Sequence, residues 1–240
     1  MAAEFVRWLS VPPGVRWLDA GCGTGALTGT VVAAAAPEQA VGVDMSRGFL
    51  GEARRRVAAA GFVAGDAAAL PLPDGGFDAV VSGLALNFVP RPERAVAEFA
   101  RVAAPGGTVA AYVWDYTGGM RMMRHFWDAA SEVDPGAAGQ DEGLRFPICH
   151  PDALERAWRD AGLGAVESRA IEIPTVFADF DDYWQPFLGG QGAAPAYLAR
   201  LTEDKQAAVR DLLDARLPRE ADGSIALTAR AWAVRGRAHH

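Results

Sequence analysis

The sequence predicts an α/β fold: a seven-stranded, mostly parallel, doubly wound sheet with a helical insertion near the C-terminus. Short apolar runs alternate with helical patterns along residues 15–114, which is typical of parallel strands joined by helices. A glycine-rich turn joins the first apolar run to an alanine-rich helix. An aromatic-rich stretch at 174–222 then interrupts the pattern before a closing strand, and it accounts for the predicted insertion.

Apolar runs bounded by glycine, proline or aspartate predict the individual strands. They lie at residues 15–19, 40–44, 61–66 with its turn, 77–82, 108–114, 164–173 and 225–235. Apolar residues at helical spacing and helix-favouring composition predict helices at 2–10, 26–36, 47–60, 90–103, 120–132, 152–161 and 205–216. Residues 134–145 are rich in glycine and acidic side chains, and we expect a loop there.

Composition narrows the classes of partner. The net charge is −7, and an acidic chain is a poor binder of phosphate backbones, so we expect no nucleic-acid partner. The sequence shows neither an apolar run of transmembrane length nor a secretory leader, so we expect no membrane contact. Cys22 and Cys149 have no metal-ligand spacing and form no disulfide framework, which predicts no metal site and favours a cytoplasmic location.

The glycine-rich turn predicts a ligand site. Asp19 ends the first strand, and Gly21, Gly23 and Gly25 follow at alternate positions before the next helix. Such a turn brings a ligand to the free N–H groups of a helix N-terminus. Gly21, Gly23 and Ala26 also fit the dinucleotide pattern, which leaves an NAD(P)-dependent oxidoreductase open. A carboxylate beside the loop repels a diphosphate, however, and suits a ligand that carries an ammonium group and a carboxylate together.

The second strand ends in another acid, Asp44, about 20 residues after the glycine turn. A carboxylate there can accept two hydrogen bonds from the vicinal hydroxyls of a ribose. The alternative is that Asp44 is only an acid near a helix N-terminus, because Ser46 can cap the next helix. Met45 can lie against an adenine ring as a soft apolar surface.

Residues 18–25, Leu-Asp-Ala-Gly-Cys-Gly-Thr-Gly, resemble the first motif of the class I, Rossmann-like S-adenosylmethionine-dependent methyltransferases. The pattern Arg-Val-x-x-Pro-Gly-Gly at 101–107 is similar to a later segment of the same family, and the resemblance covers 17–116 well. It implies S-adenosyl-L-methionine as the cofactor, with adenine beside Asp66 and Ala67 and the methionine end at the Ser82 backbone. The predicted cofactor-binding residues are Asp19, Gly21, Cys22, Gly23, Asp44, Met45, Asp66, Ala67 and Ser82.

Within that family the chain looks most like the small-molecule branch, which includes the quinone-biosynthesis methyltransferases. The resemblance therefore predicts methyl transfer to oxygen, nitrogen or carbon of a small organic acceptor by a monomer or homodimer. No catalytic base is identified, and Asp115, Tyr116 and His125 are the candidates. A non-catalytic S-adenosylmethionine-binding protein is the remaining alternative, beside the oxidoreductase.

We predict a single methyltransferase domain over 1–240. Its cofactor-binding core covers about 11–116, and substrate-side insertions cover about 117–150 and 174–222. The aromatic residues of the second insertion suit an apolar or aromatic acceptor. A small helical subdomain with its own core explains them equally well.

Overall fold

The computed structural model describes residues 1–189 and 192–239. Within these residues, seven strands form one sheet in the order β3-β2-β1-β4-β5-β7-β6. The pairs β3-β2, β2-β1, β1-β4 and β4-β5 are parallel. The strands are β1 (Arg16–Ala20), β2 (Gln39–Asp44), β3 (Gly61–Ala64), β4 (Phe77–Gly83), β5 (Ala103–Trp114), β6 (Gly164–Phe177) and β7 (Ile225–Arg237).

Strand β7 runs antiparallel to β5. The Gly106 amide donates to the Ala238 carbonyl at 2.9 Å, and the Ala238 amide donates to the Gly107 carbonyl at 3.0 Å. The Asp115 amide, just past the other end of β5, donates to the Arg230 carbonyl at 3.0 Å. As residue numbers increase along β5, the numbers of their partners in β7 decrease, which is the pairing of antiparallel strands. The prediction of a mostly parallel, seven-stranded α/β sheet is confirmed.

Helices connect most of the strands. They are α1 (Ala2–Leu9), α2 (Ala26–Ala35), α3 (Arg47–Arg56), α4 (Pro92–Val102), α5 (Arg121–Val133), α6 (Glu142–Arg145), α7 (Pro151–Asp160), α8 (Phe180–Leu188), α9 (Ala193–Leu198) and α10 (Glu203–Arg216). Each of the seven predicted helices has a counterpart, whereas α6, α8 and α9 were not predicted individually. In the part of the chain that the structure describes, no helix combines the length and the apolar character needed to cross a membrane.

The chain divides into two compact units. Unit 1 comprises Met1–Val113, Ile148–Ile171 and Trp232–His240, and unit 2 comprises Trp114–Pro147 and Glu172–Ala231. Strands β5, β6 and β7 contribute residues to both units. The sequence-based boundaries of the core and of the two insertions stay predictions.

The core of unit 1 is built from the central strands. Leu18 of β1, Val43 of β2 and Val80 of β4 are fully buried, as expected for parallel strands covered on both faces. Asp78 of β4 accepts hydrogen bonds from the Arg16 amide at 2.9 Å and from its guanidinium at 2.9 and 3.0 Å. These contacts lower the pKa of Asp78 and hold β1 in register with β4.

Unit 2 has an aromatic core. Phe126 of α5 stacks on Phe187 of α8 with ring centroids 4.6 Å apart, and Tyr183 donates from its hydroxyl to the Met122 carbonyl at 2.9 Å. Trp127 and Tyr197 lie in the same buried cluster. The aromatic residues of the 174–222 stretch therefore pack mainly against one another and against α5.

Two expectations about local structure were wrong. Residues 134–145 contain a 3₁₀ segment, Pro135–Gln140, and α6 instead of an irregular loop. Asp141 stabilises α6 because its carboxylate accepts from the Gly143 amide at 2.8 Å and pairs with Arg124 at 2.8 Å. Strand β6 continues past the predicted end to Phe177 through Pro174, which an edge strand tolerates.

Candidate functional site

A cleft of about 530 Å³ lies in unit 1 at the carboxyl ends of the parallel strands. This is the sheet edge where open α/β folds bind ligands, and the strand order reverses there between β1 and β4. Four segments line it, each following one of the strands β1 to β4. The lining residues are Gly21, Cys22, Gly23, Thr24, Ala26, Asp44, Met45, Phe49, Gly65, Asp66, Ala67, Gly83, Leu84, Ala85, Phe88, Val89 and Pro90.

The glycine turn needs glycine for two different reasons. Gly21, Gly23 and Gly25 have φ angles of +76°, +54° and +84°, a region that L side chains rarely adopt. A Cβ on Gly21 would also lie 2.6 Å from the Cβ of Ala85, so a side chain is excluded there by packing. A Cβ on Gly23 would meet no described atom within 4 Å, so Gly23 presents open space to the cleft.

The amides of this turn are largely used within the chain. Those of Gly21 and Cys22 donate to the Val43 carbonyl at 2.8 and 3.0 Å, which fixes the turn against the end of β2. The Gly23 amide donates to the Asp44 carboxylate at 2.9 Å. The amides of Gly21, Cys22 and Gly23 are therefore not free to bind a ligand.

The Asp44 carboxylate is held in place by two backbone amides. Its Oδ2 accepts from Gly23, and its Oδ1 accepts from the Ser46 amide at 2.8 Å. Ser46 itself caps α3, because its Oγ accepts from the Phe49 amide at 3.3 Å. Each carboxylate oxygen keeps acceptor capacity after these bonds. The side chain is partly exposed and lines the cleft, so two ligand hydroxyls can reach it.

The walls of the cleft are apolar and exposed. Met45, Phe49 and Phe88 have 72%, 52% and 65% of their surface exposed. A ligand that covers these side chains removes their apolar surface from water, which contributes favourably to the free energy of binding. Asp66 lies at the same edge, and its Oδ1 accepts from the Ala68 amide at 2.8 Å, which orders the segment after β3.

Seven of the nine predicted site residues line the cleft, and Asp19 and Ser82 do not. Asp19 is 3% exposed, and its Oδ2 accepts from the Thr28 hydroxyl at 2.7 Å. Its Oδ1 has no hydrogen-bond partner among the residues that the structure describes. Burial raises the pKa of Asp19 to about 7. Ser82 is 1% exposed, and its Oγ would lie 4.0 Å from a Cβ placed on Gly21.

The three candidate bases belong to unit 2, and none lines the cleft of unit 1. Asp115 pairs with Arg230 at 2.6 Å and accepts from two backbone amides, so its carboxylate is occupied by structural contacts. Burial lowers the pKa of His125, and its Nε2 has no partner in the described part of the chain. Tyr116 is buried.

Sequence reasoning missed several lining residues. Phe49 and Phe88 had a usable signal, because each follows a strand that ends at this edge of the sheet. Leu84 directly follows β4 and shared that signal, but its conformation was unexpected: its φ is +57°, where glycine is usual, and its amide donates to the Tyr112 carbonyl at 2.8 Å. Over residues 1–189 and 192–239, no group of three or more His, Cys, Asp or Glu is placed to hold a metal ion.

Comparison with known proteins relates this site to one family. Residues 18–111 match the methyltransferase domain family. A demethylmenaquinone methyltransferase of Symbiobacterium thermophilum is 42% identical over 111 residues, which cover 43% of this chain and 44% of that protein. The chain thus spans less than half the length of the relatives it matches by sequence.

Two solved structures share the fold. A candidate methyltransferase of Bacillus halodurans has a TM-score of 0.67 at 15% identity, and the match covers 100% of this chain and 99% of that one. Phosphoethanolamine N-methyltransferase 2 of Haemonchus contortus, solved with S-adenosyl-L-methionine, has a TM-score of 0.59 at 15% identity over 99% and 52% of the two chains. Residues 18–111, which lie within unit 1, therefore match the methyltransferase domain family, and the chain shares the Rossmann-like fold of these two solved structures.

Proposed function

We propose that the chain transfers a methyl group from S-adenosyl-L-methionine to a small organic acceptor. The observation that carries the proposal is the Asp44 carboxylate, which two backbone amides hold at the rim of the cleft beside exposed apolar side chains. A nucleoside needs both features, because its ribose donates hydrogen bonds and its base presents a flat apolar face.

Each part of the cofactor has a proposed partner. Asp44 binds the ribose hydroxyls, and Met45 and Phe49 cover the adenine ring. Asp66 accepts from the exocyclic amine, and Ala67 leaves room for the ring to lie flat. Each of these side chains lines the cleft.

The loop Gly21–Cys22–Gly23 holds the amino-acid end of the cofactor, where the absent Cβ of Gly23 leaves space. A contact of Ser82 with the same end stays a prediction. Asp19 also stays a predicted contact. It does not line the cleft, and one of its oxygens already accepts from the Thr28 hydroxyl.

A sulfonium supplies an already activated methyl group, so the residues of the chain bind, orient and exclude water. The exposed apolar walls around Met45, Phe49 and Phe88 suit that task, because a ligand covering them excludes water from the cleft. An oxygen or nitrogen acceptor needs a proton acceptor in addition.

The glycine turn argues against a dinucleotide. A diphosphate is bound by unpaired backbone N–H groups at such a turn. Here the amides of Gly21, Cys22 and Gly23 already donate to Val43 and Asp44, so a diphosphate would compete with the contacts that shape the loop. This supports S-adenosylmethionine over NAD(P).

The acceptor is a small organic molecule and not a nucleic acid, because the chain carries a net charge of −7. The relative named demethylmenaquinone methyltransferase supports the small-molecule branch. We further propose that the protein is cytoplasmic and acts as a monomer or homodimer without contacting a membrane.

Calorimetric titration with S-adenosylhomocysteine and with NADH tests the cofactor. We expect saturable binding of the first and none of the second, and the reverse result would overturn the proposal. Release of S-adenosylhomocysteine with a panel of phenols, quinols and amines then separates an enzyme from a protein that only binds the cofactor. Binding without turnover on any member of the panel would favour the non-catalytic alternative.

A further inference from the structure

A second cavity lies wholly within unit 2. Its volume is about 220 Å³. Its lining comes from the end of β5 and from the segments around α5, α6, α8 and α9. The side chains that shape it include Trp114, Tyr116, Met122, Met123, Glu142 and Phe187. The lining is thus mostly aromatic rings and thioethers, with one carboxyl group among them.

That carboxyl group belongs to Glu142, which is 6% exposed. Its Oε2 accepts from the Trp127 indole N–H at 2.5 Å, which orients the side chain. Burial raises the pKa of Glu142, because its ionised form is poorly solvated there. Among the residues that the structure describes, no cation lies within ion-pair distance of it, although the charge of Arg145 acts on it and partly offsets the rise in its pKa. The nearby Arg124 pairs with Asp128 and Asp141 at 3.1 and 2.8 Å.

A buried carboxylate without a cationic partner gains from a hydrogen-bond donor brought by a ligand. The size of the cavity limits what that ligand can be. An apolar cavity of about 150 Å³ holds a benzene ring. The larger cavity here therefore has room for one ring with a short substituent.

We propose that this cavity is a small-molecule site for a compact, one-ring apolar ligand whose donor group, a hydroxyl or a protonated amine, points at Glu142. The aromatic and methionine side chains bind the ring through apolar contact. Glu142 fixes its orientation, as a single polar group does in a mostly apolar site. The inference goes beyond methyl transfer and does not depend on it.

Three matched probes test the site: benzyl alcohol, benzylamine and toluene, which share a ring and differ in the donor group. Binding to the full chain is measured by titration calorimetry without S-adenosylmethionine, so the result is independent of the proposed activity. We expect one site that binds at least one of the two donor probes about tenfold more tightly than toluene. The better of the two donors tells whether the site takes a hydroxyl or an ammonium group.

Glu142→Gln keeps an oxygen for the Trp127 N–H and removes the charge. It should weaken binding of the better donor probe about tenfold and leave toluene binding within about twofold. Glu132→Gln, the same change at an exposed position of α5, is the matched control and should leave the affinities of all three probes unchanged. Ala193→Leu, which places a larger side chain on the cavity lining, should abolish binding of every probe.

Thermal melting of each variant verifies that it is folded. Three results would overturn the inference: no saturable binding of either donor probe, donor probes that bind no better than toluene, or wild-type affinity in Glu142→Gln. Should Glu142→Gln fail to fold, probe binding that survives in Ala193→Leu would equally refute it.

Discussion

Asp44→Asn is the most direct test of whether the Asp44 carboxylate binds the ribose hydroxyls of the cofactor. The substitution keeps the shape of the side chain but leaves one oxygen where two now accept from Gly23 and Ser46, at 2.9 and 2.8 Å. A hydrogen bond to a charged group contributes about 1.5–3 kcal/mol. The loss of one such bond from a ribose hydroxyl should therefore raise the Kd for S-adenosylhomocysteine roughly 10- to 150-fold.

The assay is calorimetric titration of wild type and variant with S-adenosylhomocysteine, well below the melting temperature of both. That condition matters because an amide nitrogen opposite the Gly23 or Ser46 N–H leaves a donor unpaired, which costs stability as well. Asp160→Asn, an exposed change at the end of α7 away from the cleft, is the matched control. Equal affinity of Asp44→Asn and wild type would refute the role assigned to this carboxylate.

The remaining predictions concern stability. Because burial raises the pKa of Asp19 to about 7, above its ordinary value near 3.8, the folded state favours the protonated form. The stability of wild type relative to Asp19→Asn should therefore fall as the pH rises from about 4 to about 7, and a pH-independent difference in melting temperature would contradict this. Gly21→Ala should lower the free energy of unfolding more than Gly23→Ala, because only the first adds a Cβ 2.6 Å from Ala85. The positive φ alone costs about 1–2 kcal/mol at either position. Urea unfolding measures the free energy of unfolding of both variants. Equal decreases in the two variants would show that packing at Gly21 is unimportant. Phe126→Ala should cost about 3–5 kcal/mol, because the ring is fully buried in unit 2, and a loss under about 1 kcal/mol in the same assay would show that the core is loosely packed.

The sequence by itself determined the elements whose signals are local. A strand, a turn that requires glycine and a helix are set by residues 15–36, and Asp44 follows from its distance along the chain. These features depend on backbone conformation and on the alternation of strands and helices, so no distant contact was needed to predict them. The same alternation places the cleft at the carboxyl ends of the parallel strands. It does not fix the order of the strands, which the structure supplied.

Tertiary structure alone decided which side chains line the cleft. Asp19, a predicted ligand contact, is buried and accepts from the Thr28 hydroxyl, and it is not among the residues that line the cleft. Asp115 was a candidate base from the sequence. In the structure its carboxylate pairs with Arg230, which lies 115 residues further along the chain. Phe49 and Phe88 are exposed in the cleft, and Glu142 is enclosed by side chains from separate helices. Burial and pairing arise from contacts between segments far apart in the chain, so they cannot be predicted from a local pattern of residues.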